Sequence, residues 1–477
     1  MAEQQPSKLA QRWKALPRWG QLVASVAVVA VFVLIRKWLI LLLLIALGLW
    51  FLTLLAGLVV LAVMARGKGG WPWMKAWLAG VIRSMTVPVL AVVTALIVGA
   101  IVIVVTDPAV YEALAEGGIG EAIAVGLKNL AKAYGALYVG ALGNPVEILR
   151  GIGEWLTGGG MQSLLVSLRG PSDSLVQSVP YIFAGLAVAL GFRAGLFNIG
   201  AEGQIGIGWM VAVIVGIAFP GLPAIIHLPL AIVAGAVAGG LWAGIAGVLK
   251  ARTGAHEVIV TIMLNYIAFR LMAWLLCEPL EATQGTCRTA DVAASAFLPR
   301  FLGHPVTLHW GFVLALIAAV VTGWYLFRTT WGFELRTVGA NPNAARYGGM
   351  KVPRTYIVTM FLSGCLAGLS GVSQGLGITH NIALGFQSGY GFDSIALALL
   401  GKSHPLGVVA ASILFGVLRA GASRMQSIAG VPTEIVQIVQ SLVIIFIAAP
   451  AIIQTLYRLR QVKREEAEVV FSRGWGA

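Results

Sequence analysis

The stretch Gly195–Gly208 reads GLFNIGAEGQIGIG and lies between two long apolar runs. Asn198, Glu202 and Gln204 are its strongly polar side chains, and it holds no Lys or Arg. An amide both donates and accepts hydrogen bonds, whereas an ionised carboxylate only accepts. A charged side chain at the centre of a bilayer costs about 2.5–3.5 kcal/mol on insertion scales. Glu202 must therefore sit near an interface or face polar surroundings. The five glycines of the stretch predict a helix broken between 195 and 208. Freed backbone groups at membrane depth are tolerated only where protein buries them or water reaches them. Two readings follow. In one, Phe197, Asn198, Glu202 and Gln204 line a hydrated route. In the other, they form a turn in which Asn198 caps the next helix and Glu202 favours its positive end.

A second stretch has similar chemistry. FQSGYGFDSIALALLGKSHPLG, Phe386 to Gly407, combines aromatics (Tyr390 and Phe392 among them), glycines and one acid, Asp393, at the mouth of a short helix. It enters from the opposite side, five spans later. Two broken helices of opposite sense suggest an inverted repeat. The GKS triplet at 401–403 is not a phosphate loop, because Ala396 stands where that loop needs glycine and no buried strand precedes it. No nucleophile–base set, paired-carboxylate motif or Cys/His metal spacing stands out, so no enzyme is expected in this chain.

A third stretch, GFELRTVGANPNAARYGGMKVPR (Gly332–Arg354), has the signals of a short capped helix: Asn341 or Asn343 before it, Pro342 at its start, Gly348 and Gly349 after it. A small amphipathic helix there would be a docking knob. A solvated loop anchoring basic residues at the headgroups would explain the charges but not the caps.

The elements that must position these stretches are membrane helices. Of 477 residues, 58% are hydrophobic and 11% charged, with a mean hydropathy of +0.88. So few charges cannot cover a soluble domain, which carries about 25%. The apolar runs are continuous and about 20 residues long, the length of a transmembrane helix, without the alternation of a β-barrel. The net charge of +14 does not indicate nucleic-acid binding, because the basic residues fall in short segments between apolar runs. That distribution is the positive-inside pattern. From Arg83 onward, spans near 84–106, 178–196, 200–220, 227–250, 256–277, 309–327, 355–377, 388–403, 405–422 and 431–457 put every basic-rich connection on one side, with both termini cytoplasmic. Residues 107–177 carry seven acidic side chains against four basic ones and read as an outer segment. The expectation is an all-α integral membrane protein: a polytopic helical bundle of about ten core helices. It divides into a basic N-terminus at 1–83 with one or two extra transmembrane segments (about 20–35 and 38–64), a core at 84–457 and a tail at 458–477. Cys277 and Cys287 bracket an outer loop and either form a disulfide or remain two thiols. Small residues four apart, as in Gly235/Gly239 and Gly364/Gly368, predict close helix packing.

At FRAGLFNIGAEGQ, HEVIVTIMLNYIA (His256–Ala268), GFELRTVGANPNAARYGG and GYGFDSIALALLGKSHPLGV the chain resembles permease subunits of nucleoside-type ABC importers, within the branched-chain amino-acid and simple-sugar permease superfamily. The resemblance spans about 84–457. It implies a permease in a bacterial plasma membrane, carrying nucleosides by alternating access. Its partners would be ATPase subunits holding ATP and Mg, a second permease chain (identical or related) and an extracytoplasmic binding protein or lipoprotein. It implies a coupling loop over Glu334, Arg336, Gly339, Asn341, Ala344, Ala345, Arg346, Tyr347 and Gly348. It also implies a translocation role for the Asn198–Gln204 and Tyr390–Asp393 segments, with Glu257, Asn265 and Tyr266 placed to line the same cavity. The first 80 residues exceed the family's usual start. The alternatives are a permease for simple sugars such as ribose and, from another class, an ion-driven secondary transporter. The latter would favour ionisable residues deep in several spans, and the sequence reads as nearly free of them.

Overall fold

The computed structural model describes residues 70–158, 161–386 and 389–458. The one or two extra segments expected within 1–69 and most of the tail lie outside these residues. In chain order the helices are α1 (Gly70–Thr106), α2 (Pro108–Leu142), α3 (Pro145–Leu156), α4 (Gln162–Ser167), α5 (Arg169–Arg193), α6 (Ala201–Ala218), α7 (Ala224–Thr253), α8 (Glu257–Cys277), α9 (Gly311–Arg328), α10 (Thr330–Ala340), α11 (Pro342–Tyr347), α12 (Val352–Gln374, continued by a π-helical turn at Gly375–Thr379), α13 (Tyr390–Leu400), α14 (Pro405–Ala429), α15 (Thr433–Ala448) and α16 (Pro450–Leu456). Among the described residues there is no strand, only two isolated bridges, Arg288 with Ala383 and Arg300 with His309.

Eight described helices are long and apolar enough to cross a membrane, and α13 and part of α15 are shorter apolar helices. These match the expected spans one for one. The segment 107–177 differs. It forms the helices α2, α3 and α4 and the first turns of α5. Its acidic residues kept it from reading as a helical span. α2 is bent at Gly118, whose φ of 76° no helical residue adopts.

The chain divides into two compact units. In the first, described residues 70–136 join 425–458. There the Thr94 hydroxyl of α1 lies 3.0 Å from the Tyr457 hydroxyl, and the Tyr134 hydroxyl donates to the Leu96 carbonyl.

The second unit, built on 137–424, holds the three stretches singled out above. α5 is its pillar: every residue from Ser178 to Phe192 is buried. A helix apolar all round belongs in an interior. The predicted small-residue contacts join α7 to α12. A Cβ on Gly239 would lie 2.5 Å from the Gly364 carbonyl oxygen, and one on Gly368 would lie 2.6 Å from the Gly235 oxygen. The backbones touch, and dispersion between them replaces the hydrophobic driving force that lipid does not supply. The opposite faces of α7, α8 and α9 expose Ile225, Val233, Leu241, Ile259, Met263, Val320 and Trp324, as a lipid-facing surface does.

The two ends of this unit are distinct. At one, the loop 278–310 is stitched to the end of α6 by the Ala293 amide on the Gly216 carbonyl (2.9 Å), and to the end of α12 by the Leu298 amide on Leu376 (2.9 Å) and the Val292 amide on His380 (2.8 Å). At the other end lie α10, α11, the end of α5 and the α13–α14 turn.

Candidate functional site

The break after α5 is short. α5 stops at Arg193, Gly195 takes a φ of 70°, and the chain resumes helix at Ala201. The predicted break to 208 is thus corrected: glycines 203, 206 and 208 sit within α6, where they admit neighbouring helices. Asn198 organises the turn. Its Oδ1 accepts from the Gly200 amide (2.9 Å) and from Gln204 Nε2 (3.0 Å). Its Nδ2 lies 3.0 Å from Gln204 Oε1 and 3.0 Å from Ser363 Oγ, which itself donates to the Ala187 carbonyl (2.7 Å). Asn265 of α8 completes the enclosure. It accepts from the Gly203 amide (2.8 Å) and donates to the Ile199 carbonyl (2.9 Å).

Glu202, in the first turn of α6, reaches the start of α13. Its two oxygens accept from the amides of Gly389 (3.0 Å) and Gly391 (2.6 Å). Both oxygens act as acceptors, each held by a backbone amide. One carboxylate thus faces the positive ends of two helices that begin deep in the bundle from opposite sides. Gly391 is required there, because a Cβ would collide with the Glu202 amide.

Beside this pin lies a second polar cluster, centred on Tyr181 midway along α5. The Tyr181 hydroxyl donates to Asp393 Oδ2 (3.0 Å) and accepts from Arg419 Nη1 of α14 (2.7 Å). The Arg419 guanidinium stands 4.4 Å from the centroid of the Tyr390 ring, a cation–π distance. The Tyr390 hydroxyl donates to Gln177 Oε1 (3.1 Å). Tyr181 and Tyr390 are fully enclosed, whereas Gln177, Asp393 and Arg419 are half-buried and Phe392 is exposed.

At the far end of α5, α10 and α11 form the predicted knob. The Asn341 side chain accepts from the amides of Asn343 (3.0 Å) and Ala344 (3.1 Å), capping α11. Gly348 ends α11, and Gly349 at φ 79° turns the chain away. Ala345 is buried against Val338 and Val352, while Tyr347 is 98% exposed. The knob therefore has a rigid underside and an open outer face.

Residues 170–448 match the family described as "Branched-chain amino acid transport system / permease component". The chain belongs to this permease family. It is similar to the guanosine ABC transporter permease protein NupP of Bacillus subtilis, with 47% identity over 58% of this chain and 80% of that one. It is also similar to the nucleoside ABC transporter permease protein NupB of Lactococcus lactis (35%, over 65% and 88%) and to the glucose ABC transporter permease protein TsgB13 of Haloferax volcanii (37%, over 59% and 77%). No solved structure matches the chain. This permease is a multi-pass plasma-membrane protein and is not itself an enzyme. As one component of a transport system, it leaves ATP hydrolysis and solute capture to partner subunits.

The structure brings some of the permease's predicted pathway residues into one cluster and places others apart from it. Asn198, Glu202, Gln204 and Asn265 present no polar atom to a hydrated wall: all four are buried, and they satisfy one another or backbone groups. Asn198, Gln204 and Asn265 tie the break to α12 and α8, and Glu202 ties it to α13. Glu257 pairs with Lys250 (2.8 Å) across the α7–α8 turn instead of lining a cavity. Tyr266 is 63% exposed beside Ile259 and Met263, turned away from the buried Asn265, because neighbouring residues of a helix point about 100° apart. The half-buried Phe197 ring packs on Phe192 at 5.1 Å. Tyr390, Phe392 and Asp393 do belong to one cluster. The sequence reading missed Gln177, Tyr181 and Arg419. Arg419 was visible as one of two arginines in a 25-residue apolar helix, and it joins Glu202 and Asp393 as a third ionisable group in a core that reads as nearly free of them.

At the end opposite the knob, Cys277 and Cys287 are joined in a disulfide. Beside it, Asp291 takes hydrogen bonds from Arg288 (2.6 Å) and Asn381 (3.0 Å), which hold its carboxyl below the usual range. His309 is fully buried, and its Nδ1 accepts from the Gly311 amide (3.1 Å). Burial first, then the charges of Arg300 and His380, push its pKa down to about 4.

Proposed function

We propose that this permease forms the membrane route of an ATP-driven importer for nucleosides, with the solute passing the half-buried face made by Gln177, Phe392, Asp393 and Arg419. The observation that carries the reading is the 47% identity to a guanosine permease across most of that protein's length. The chemistry of the face supports it. A nucleoside is neutral, has a flat ring and carries hydroxyls that donate and accept. Phe392 offers a ring, Asp393 an acceptor, Arg419 donors, and Gln177 an amide that does both. The helix N-termini that would attract an anion are already occupied by Glu202.

In this reading the knob faces the cytoplasm, as do both termini, in keeping with the basic residues around it. An ATPase that binds ATP and Mg seats against α11, and a second permease chain, identical or related, completes the route. An extracytoplasmic binding protein delivers the solute to the disulfide end. Alternating access then follows from ATP-driven movement of the knob.

A simple sugar is the second reading, favoured by the similarity to a glucose permease. Reconstituted importer in proteoliposomes separates the two. Labelled guanosine should accumulate with ATP and be displaced by excess unlabelled nucleoside but not by glucose or ribose. Displacement by the sugars alone would assign the route to sugars. Arg419→Met should lower nucleoside uptake at least tenfold with the complex still assembled; full uptake would remove this face from the route.

A further inference from the structure

The end of α5 touches the knob without side chains between them. The Gly339 Cα lies against the Arg193 carbonyl and Ala194, and a Cβ on Gly195 would be only 3.1 Å from the Gly339 oxygen. From that same point the Arg193 side chain leaves in another direction. Its Nε donates to the Ser403 carbonyl (2.9 Å) and its Nη2 to the Lys402 carbonyl (3.2 Å). Lys402 and Ser403 are consecutive non-glycine residues in the left-handed region, at φ 52° and 49°. Such a pair persists only where its surroundings hold it. The two parallel donors of a guanidinium supply that hold, which a lysine ammonium does not reproduce.

The junction has a centre. The Phe327 ring at the end of α9 has the Arg193 guanidinium 5.7 Å from its centroid, the Arg336 guanidinium of α10 at 5.3 Å, and the His404 ring stacked at 5.3 Å. Four segments therefore meet here: the end of α5, the end of α9, α10 and the α13–α14 turn. From the turn, the single short helix α13 runs back to Gly391 on Glu202 and to Asp393 on Tyr181.

We infer that Arg193 is the positioning residue that transmits movement of the α10–α11 knob to α13, by clamping the Lys402–Ser403 turn to the helix end on which Gly339 rests. This rests on the docking role proposed for the knob. When α10 moves, the end of α5 and the turn move with it. α13 is then displaced as a rod, shifting Asp393 relative to Tyr181 and Arg419.

The test uses the whole importer, with its ATPase and binding protein, in proteoliposomes. Arg193→Met should cut solute uptake at least tenfold while ATP hydrolysis continues within about twofold of the parent, so that ATP consumed per solute rises about fivefold or more. Arg193→Lys should restore part of the coupling. A parent-like ratio for Arg193→Met would overturn the inference. If Arg193→Met fails to assemble, the variant that adds Lys402→Gly and Ser403→Gly gives the turn its conformation without the clamp. Assembly with an uncoupled ratio supports transmission. Assembly with full coupling shows that the arginine only holds the turn, and overturns it. Tyr347→Glu tests the docking reading separately: it should weaken ATPase association. If Tyr347→Glu keeps full association and uptake, the docking reading fails whatever Arg193 does.

Discussion

Glu202 shows how a carboxylate can be stable deep in an apolar bundle. It offsets two helix N-termini at once, and each oxygen has a backbone partner. Hydrogen bonds to charged groups are worth about 1.5–3 kcal/mol each, and the loss of a partner strands the buried amide. Glu202→Gln can keep only one acceptor oxygen. It should lower the unfolding free energy of the purified permease by about 2 kcal/mol, read by chemical or thermal denaturation in detergent. His309 gives a second expectation at this scale. Its pKa of about 4 in the fold lies below the 6.5 of a free imidazole. The unfolded chain therefore takes up the proton first as pH falls, so this contribution to stability is complete above about pH 6.5 and drains away towards pH 4. His309→Gln should flatten that acid limb of a melting-temperature profile. The types of these residues were plain in the sequence; their partners were not. The amides that hold Glu202 come from residues nearly 190 positions away, and no local pattern carries that information. The Tyr181–Arg419 contact is hidden for the same reason.

At the scale of elements, local signals worked well. Apolar runs of membrane length located the spans, and the Asn-Pro start and Gly-Gly stop of α11 marked a helix of six residues. A helix this short cannot persist on its own. It depends on its cap and on the seating of Ala345. Asn341→Ala should cost about 1 kcal/mol locally. The readout is faster hydrogen exchange at Asn343 and Ala344, whose amides the cap holds, with exchange in the core helices unchanged. The break after α5 was overestimated because glycines within a helix, placed there for close packing, look the same in sequence as glycines that end one. The 107–177 segment misled in the opposite direction. Its acidic side chains argued for a segment outside the membrane, yet α2 and α3 carry Glu112, Glu116, Glu121, Glu147 and Glu154 on exposed faces.

For the whole molecule, the disulfide end and the knob end are built differently. At the knob end, short helices meet through backbone contacts and stacked cations. At the other, the loop 278–310 is laced to α6 and α12 by backbone hydrogen bonds, and a covalent link ten residues long closes its first turn. In the chain-entropy account, closing a loop of that length is worth about 2–3 kcal/mol. Replacing both Cys277 and Cys287 with Ser should lower the thermal midpoint and expose the Cys287–Asp291 segment to protease, while the knob end keeps its protection. Equal loss of protection at both ends would show that the ends are not separately stabilised.

The Glu202 pin also bears on what the proposed route can accept. Its carboxylate already takes the backbone amides at the start of α13. A phosphate group entering that route would find this helix terminus closed to it. If the route is the one proposed, a phosphorylated compound would have to lose its phosphate before the remainder could pass.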